Sequence, residues 1–456
     1  MRVNHLSLLI GFGVFAGATP VLGQTSAGQV PEDASSTQTA SHVPAAQSRW
    51  TIHFQATSIG QYHGGFRSLY EGENSLPPHP ESRVSLTTTI FLGFRVNRHV
   101  ELVVNPEVAC GRGFGTVSGI AGFTNGEIPR VSSATPTLYP ARAFVRTVWA
   151  LGPEIEFVED GVNQIAESMP VERFTTITGK FAVTDYFDSN TYSHDPRKQF
   201  MNWSLMYNGA WDYSADTRGY TMGTMEELKM KNWSLRLADV MEPTTANGPT
   251  FDTRVARNRG DMVEWERRYT PRGRFGAVRI LGFGNREDAG TYRQAPRVNG
   301  VPDLAPTRRN GTLKYGFGVN MEQSITSAIG VFGRYGWNDG KTETWAFTEI
   351  DRSLSGGISI DGKLWKRKSD QIGVAGVRNY ISGDHRVFLA EGGMGFIIGD
   401  GRLDHYRPEN IVEAYYAWQA TKQWTITADI QHIGNPAYNA DRGPVSVGTI
   451  RLHWER

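Results

Sequence analysis

Residues 83–95 read RVSLTTTIFLGFR, and the pattern in this stretch decides the fold. Val84, Leu86, Ile90, Leu92 and Phe94 fall on one side of an extended chain. Arg83, Ser85, Thr87, Thr89 and Arg95 fall on the other. Successive side chains of a strand point to opposite faces, so the segment has one apolar and one polar wall. The alternation continues in both directions. Trp50, Ile52, Phe54 and Ala56 oppose Thr51, His53, Gln55 and Thr57, while Val100, Leu102 and Val104 oppose Glu101, Asn105 and Glu107. Near the C-terminus, Trp424, Ile426, Ala428 and Ile430 oppose Thr425, Thr427, Asp429 and Gln431. Ile450, Leu452 and Trp454 oppose Arg451 and His453.

Strand-like runs of this kind recur along the chain to a total of about sixteen, an even number of the sort bacterial outer-membrane barrels have. The run at 274–283 alternates poorly, with Arg279 in its middle. Between the runs, long connections (61–82, 109–140, 181–216, 241–261, 284–312, 337–353, 378–409) take turns with short ones (228–231, 270–273, 322–324, 363–370, 419–422). An up-and-down meander with short periplasmic turns and long extracellular loops produces this spacing. A soluble sandwich has no reason to place every long connection at one end. Trp50, Trp149, Trp233, Trp265, Trp337, Trp418, Trp424 and Trp454 sit near run ends, where barrels carry their aromatic girdles.

The expected fold is therefore all-β: a transmembrane antiparallel β-barrel of about sixteen strands with long extracellular loops and short periplasmic turns. A barrel of that size is too wide for side chains to fill, so the apolar face is expected to meet lipid and the polar face to line water. Lipid also demands closure, because every backbone donor and acceptor must be paired internally.

Composition fits. The chain has 456 residues, 51 of them glycine, with 17 Tyr and 12 Trp, which suits strands and turns. A formal net charge of +1 leaves no electrostatic footprint for nucleic acid. Cys110 is alone, so neither an intrachain disulfide nor a metal site built from several thiolates can form. Arg2, then the apolar run 6–18, itself too short to cross a bilayer, then Val21-Leu22-Gly23 read as a signal peptide spanning 1–23. Residues 24–48, rich in Ser, Ala, Gln, Thr and Pro, read as a flexible periplasmic extension, and 49–456 as the barrel. The expected location is the outer membrane of a Gram-negative bacterium.

One connection stands out. Residues 179–220 hold Asp185, Asp188, Asp195, Arg197, Lys198, Asp212 and Asp216 interleaved with Tyr186, Phe187, Tyr192, Trp203, Tyr207, Trp211 and Tyr213. A loop this long and aromatic is expected to fold into the barrel and contact a polar ligand.

Several blocks are similar to the carbohydrate-selective porin (OprB) family: Asn105-Pro106-Glu107, IAGFTNGE at 120–127, PARAF at 140–144, the loop at 179–220 with its continuation to Gly223, and the C-terminal FLAEGGMGFIIGDGRL, EAYYAWQ and NPAYNADRGPVSVGTIRLHWE. The resemblance implies passive diffusion of monosaccharides such as glucose through a water-filled lumen, in a monomer or homotrimer, without a cofactor. Glu107, Arg142, Trp211 and Asp212 match the family's blocks. Members tend to end on an aromatic residue read by the barrel-assembly machinery, whereas here Glu455 and Arg456 follow Trp454.

A sugar offers hydroxyls that donate and accept and ring faces lined by C–H groups. Arginine forks, carboxylates and an aromatic platform answer that chemistry. The pore-constriction candidates are Arg83, Glu107, Arg142, Arg146, Trp211 and Asp212, with Arg142 and Arg146 facing Glu107 and Asp212 across the lumen. Other readings are a general diffusion porin without sugar preference, or a secreted all-β carbohydrate-binding or hydrolytic protein. A glycosidase would need two carboxylates at a fixed separation, and a metal site would need ligand spacings that His194-Asp195 and Asp185/Asp188 lack. No catalytic residue and no metal ligand is expected.

Overall fold

The computed structural model describes residues 49–130, 133–161 and 164–456; the expected signal peptide and extension lie outside them. Sixteen antiparallel strands close into one barrel. Numbered in chain order, they are β1 (Trp50–His63), β2 (Glu81–Asn97), β3 (Val100–Gly111), β4 (Thr137–Ala150), β5 (Arg173–Phe181), β6 (Thr221–Lys229), β7 (Trp233–Val240) and β8 (Arg259–Tyr269). They continue as β9 (Gly276–Glu287), β10 (Thr312–Ser324), β11 (Ile329–Asn338), β12 (Arg352–Asp361), β13 (Gln371–Tyr380), β14 (Glu409–Gln419), β15 (Trp424–Gly434) and β16 (Val445–Glu455). Each pairs with its chain neighbour, and β1 pairs with β16 from Gln55↔Glu455 to His63↔Val447, leaving no edge.

Two connections, read as 181–216 and 322–324, run on for four more residues before the next strand begins. The run expected at 217–226 starts at Thr221, because the backbone turns first: the Gly219 amide donates to the Asp216 carbonyl. The run expected from 325 starts at Ile329, after a turn in which the Ile325 and Thr326 amides donate to the Ile329 carbonyl.

The outward positions are the apolar ones. Ile52, Val84, Ile90, Val104, Ile280, Phe317, Leu354, Val412, Ile430 and Ile450 are all exposed, while Thr51, Gln55, Thr87, Glu107, Asp429 and Arg451 are buried on the inner wall. This inversion of a soluble barrel's faces marks a wall solvated by lipid.

The interior is narrowed, as expected of the 179–220 stretch, and a second loop joins it. Loops 112–130 and 182–220 fold inward, and Phe114, Ile120, Phe123, Phe187, Phe200, Leu205 and Trp211 join one buried apolar cluster with wall residues Leu281, Phe283 and Phe332. The irregular run at β9 follows from this, since its inner face carries Leu281 and Phe283 against the inserted loops and Arg279 against Glu266 and Glu322.

Buried loop backbone needs partners for its N–H groups. The inner wall supplies carboxylates. Glu264 accepts from the Asp188 amide at 2.7 Å, Glu322 from Thr191 at 2.6 Å, and Glu413 from Met201 and Asn202 at 2.6 and 3.0 Å. Glu409 accepts from Ala121, Gly122 and Ala437. Many lumen acids that alternation exposes are therefore anchors for inserted loops.

Candidate functional site

Pro106 and Pro140 set up the site. Each lacks a ladder donor, and the β3–β4 register slips between them: Asn105 pairs with Arg142, but Pro106 pairs with Pro140. One extra residue, Ala141, is thereby accommodated on β4. A bulge of this kind re-aims side chains. Here it puts Tyr139 and Arg142 on the inner wall together, opposite Glu107 and Asn105.

The Arg142 guanidinium meets Asp185 of the inserted loop through two nitrogens, with Nε 2.7 Å from a carboxylate oxygen. It also lies 5.3 Å from the centre of the Tyr220 ring. The Tyr220 hydroxyl donates to Glu107 at 3.2 Å, and Tyr139 donates to the same oxygen. The other Glu107 oxygen accepts from Thr89 at 2.6 Å and from Arg197 at 2.9 Å. Arg197 continues to Glu127 at 2.8 Å, and Thr87 caps Glu127 at 2.6 Å. Lys180 and Asp216 pair at 3.3 Å above Tyr220, and Arg218 covers the Tyr139 ring at 4.5 Å. Acid and base alternate through this belt.

A cavity of about 1170 Å³ runs past the belt. Glu107, Arg142, Asp185, Arg197, Tyr139 and Tyr220 line it, with Trp203, Tyr207, Tyr213 and Phe347 forming an aromatic side. Its lining reaches Asn247 and Arg218 among the long loops, and Gln423 and Arg456 at the opposite end. Tyr213 and Phe347 have ring centres 4.5 Å apart, and Trp203 stacks on Phe347 at 5.7 Å.

At that opposite end, the β4–β5 connection forms a small hairpin, Ile155–Val158 with Glu167–Pro170. It turns inward. Ile165 is buried against Gly93, Glu167 lies 3.4 Å from Arg146 and 3.6 Å from Arg95, and Asp160 lies 3.1 Å from His53. Asp160 and Gln164 line the cavity there.

Of the six sequence candidates, Glu107 and Arg142 line the cavity and belong to one network. The other four lie elsewhere. Arg83 pairs with Glu81, which also accepts from the Gly115 amide, so it stands at the root of the loop at 112–130. Arg146 pairs with Glu101 and holds the periplasmic hairpin through Glu167. Trp211 is fully buried between Phe187 and Tyr213, so its indole presents no face to a sugar. Asp212 accepts from the Trp345, Ala346 and Phe347 amides at 2.8 to 2.9 Å and faces Lys314 at 3.6 Å. The expected opposition of Arg142 and Asp212 is replaced by Arg142 with Asp185. Alternation could not reveal Arg197, Glu127, Tyr139 or Tyr220, since their partners come from remote segments and, for Tyr139, from the bulge.

Residues 98–455 match the carbohydrate-selective porin, OprB family. The chain belongs to this family. By family it is a carbohydrate-selective porin of the outer membrane. No curated protein matches the sequence. Among solved structures, the high-pH structure of Pseudomonas putida OprB is similar with a TM-score of 0.66 at 14% identity, covering 89% of this chain and 94% of that one. The outer-membrane channel DcaP of Acinetobacter baumannii aligns with a TM-score of 0.48 at 8% identity, over 89% of this chain and 97% of that one.

Proposed function

We propose that this porin passes single sugar rings of the glucose type, and that Arg142 and Glu107 act with Asp185 and Arg197 as hydroxyl partners along the path. The supporting observation is the belt itself: ionised donors and acceptors alternate on one wall, and Trp203, Tyr207, Tyr213 and Phe347 stand in the same cavity. A pyranose needs both, hydrogen bonds at its rim and an apolar surface beneath its ring. The charged groups already pair with each other, so a sugar exchanges bonds rather than gaining many. That keeps binding weak enough for release, as conduction requires.

Arg83, Arg146, Trp211 and Asp212 contribute in this reading by position. They hold the loop at 112–130, the periplasmic hairpin and the 182–220 loop where the path needs them. Liposome swelling is the test. Glucose is expected to enter faster than a neutral, non-sugar solute of equal size and also faster than a disaccharide. Equal rates for glucose and the non-sugar solute would remove sugar recognition; equal rates for glucose and the disaccharide would remove the single-ring limit.

A further inference from the structure

Most strand arginines of this barrel have a carboxylate: Arg95, Arg146, Arg236, Arg279 and Arg334 are each in ion pairs on the inner side. Three arginines on the outer side of β12, β13 and the loop that follows do not. Arg352 and Arg378 both lie over the ring of Tyr380, at 4.5 and 5.5 Å from its centre. Arg386, on the helix Gly383–Ala390, lies over the Tyr406 ring at 4.9 Å. All three are exposed, and among the described residues no carboxylate is within ion-pair distance of any of them.

Their depth is fixed by register. Arg352 pairs with Tyr380 across β12–β13 and with Trp337 across β11–β12, so it sits in the aromatic girdle at the long-loop end. Arg378 is opposite Leu354, one outward position deeper, and Val374 and Val412 continue the apolar band below it. Arg386 is just beyond the strand ends. The guanidinium groups thus step from the edge of the apolar band into the layer where lipid headgroups lie.

Like charges gathered without counterions repel each other, and the more so beside a low-dielectric layer. An anion at this site relieves that repulsion. Planar guanidinium forks held on aromatic rings suit phosphate oxygens, which they can engage two at a time. The depth selects the source of the phosphate, because Leu354 beside Arg378, and Val374 and Val412 below it, belong to the apolar outer band that acyl chains cover. We propose that Arg352, Arg378 and Arg386, mounted on Tyr380 and Tyr406, form a binding site for the phosphorylated headgroup of an outer-leaflet glycolipid. The site is separate from the sugar path, which none of the three residues lines.

The experiment is native mass spectrometry of the full-length porin in detergent with added diphosphorylated lipid A, its dephosphorylated counterpart, or inorganic phosphate. The variants are the triple Arg352→Ala/Arg378→Ala/Arg386→Ala and Arg267→Ala, an exposed outward arginine at the other end of β8. Heat-modifiable gel mobility confirms that each variant is a folded barrel; if the triple variant is not, the charge-reversing single Arg378→Glu replaces it. The expected result is retention of diphosphorylated lipid A by the native protein and by Arg267→Ala, at least tenfold weaker retention by the cluster variant, and little retention of the dephosphorylated lipid. Equal retention by native protein and cluster variant, or indifference to the lipid's phosphates, overturns the proposal. Occupancy by inorganic phosphate that matches the phosphorylated lipid at equal concentration overturns the choice of a lipid.

Discussion

Arg142 of the barrel wall and Asp185 of the inserted loop form a two-point ion pair across the edge of the channel, with the Arg142 Nε 2.7 Å from the carboxylate. The pair joins a residue placed by a bulge to one placed by a loop that follows β5. With Glu107–Arg197 and Lys180–Asp216, it is one of the ion pairs that join the fixed wall to the inserted loop beside the cavity. Its side chains keep some solvent access, 12% and 25%, whereas Glu107 behind it is almost sealed at 3%. Arg142 and Asp185 are therefore more open to a passing solute than Glu107 is.

Replacing Arg142 by Ala removes the fork and leaves Asp185 unpaired. We predict that sugar block of the ion current weakens by about two- to tenfold, the range of one net hydrogen bond. Selectivity shifts toward cations, because a negative charge is uncovered. Heat-modifiable mobility stays unchanged, since the barrel ladder is untouched.

Arg334 is fully buried and holds the inserted loop from inside. Its guanidinium meets Asp188 and donates to the carbonyls of Leu205 and Ser193. Arg334→Ala leaves Asp188 buried without its charge partner, a loss of about 3–5 kcal/mol where such pairs have been broken. The expected readout is a noisier, larger single-channel current as the loop comes away from the wall.

Trp211 separates packing from stacking. Trp211→Phe keeps an aromatic ring in the cluster and should leave sugar block of the current as it is. Trp211→Ala opens a cavity, with a cost of about 3–5 kcal/mol to loop packing, and should lower the temperature at which the loop becomes protease-sensitive. A selective loss of sugar block in Trp211→Phe would mean that the indole contacts solute after all.

The periplasmic hairpin gives a fourth test. Glu167→Ala removes its contacts to Arg146 and Arg95. Conductance is expected to rise, with sugar block less affected than in Arg142→Ala. Unchanged conductance would show that the hairpin does not narrow the exit.

The barrel was legible because two signals are local: side-chain alternation, as at residues 83–95, and the alternation of long and short connections. The interior was not. Nothing near Glu264, Glu322 or Glu413 in the sequence says that each will hold a loop amide, because the donor lies 76 to 212 residues away. The same alternation that put Glu107 on the inner wall offered Arg83 and Arg146 equally, and only the inserted loop and hairpin distinguish their surroundings. Trp211 and Asp212 were read as a filter because they sit in the right loop. Their neighbours turned them into its packing and its anchor.

Flux through reconstituted channels tests the central claim most directly. Native protein, Arg142→Ala and Glu107→Gln are incorporated into liposomes and challenged with glucose and with a neutral non-sugar solute of equal size. The account predicts faster glucose uptake by the native channel and a smaller preference in both variants. A native channel that passes the two solutes at the same rate, or variants that keep the full preference, would contradict it.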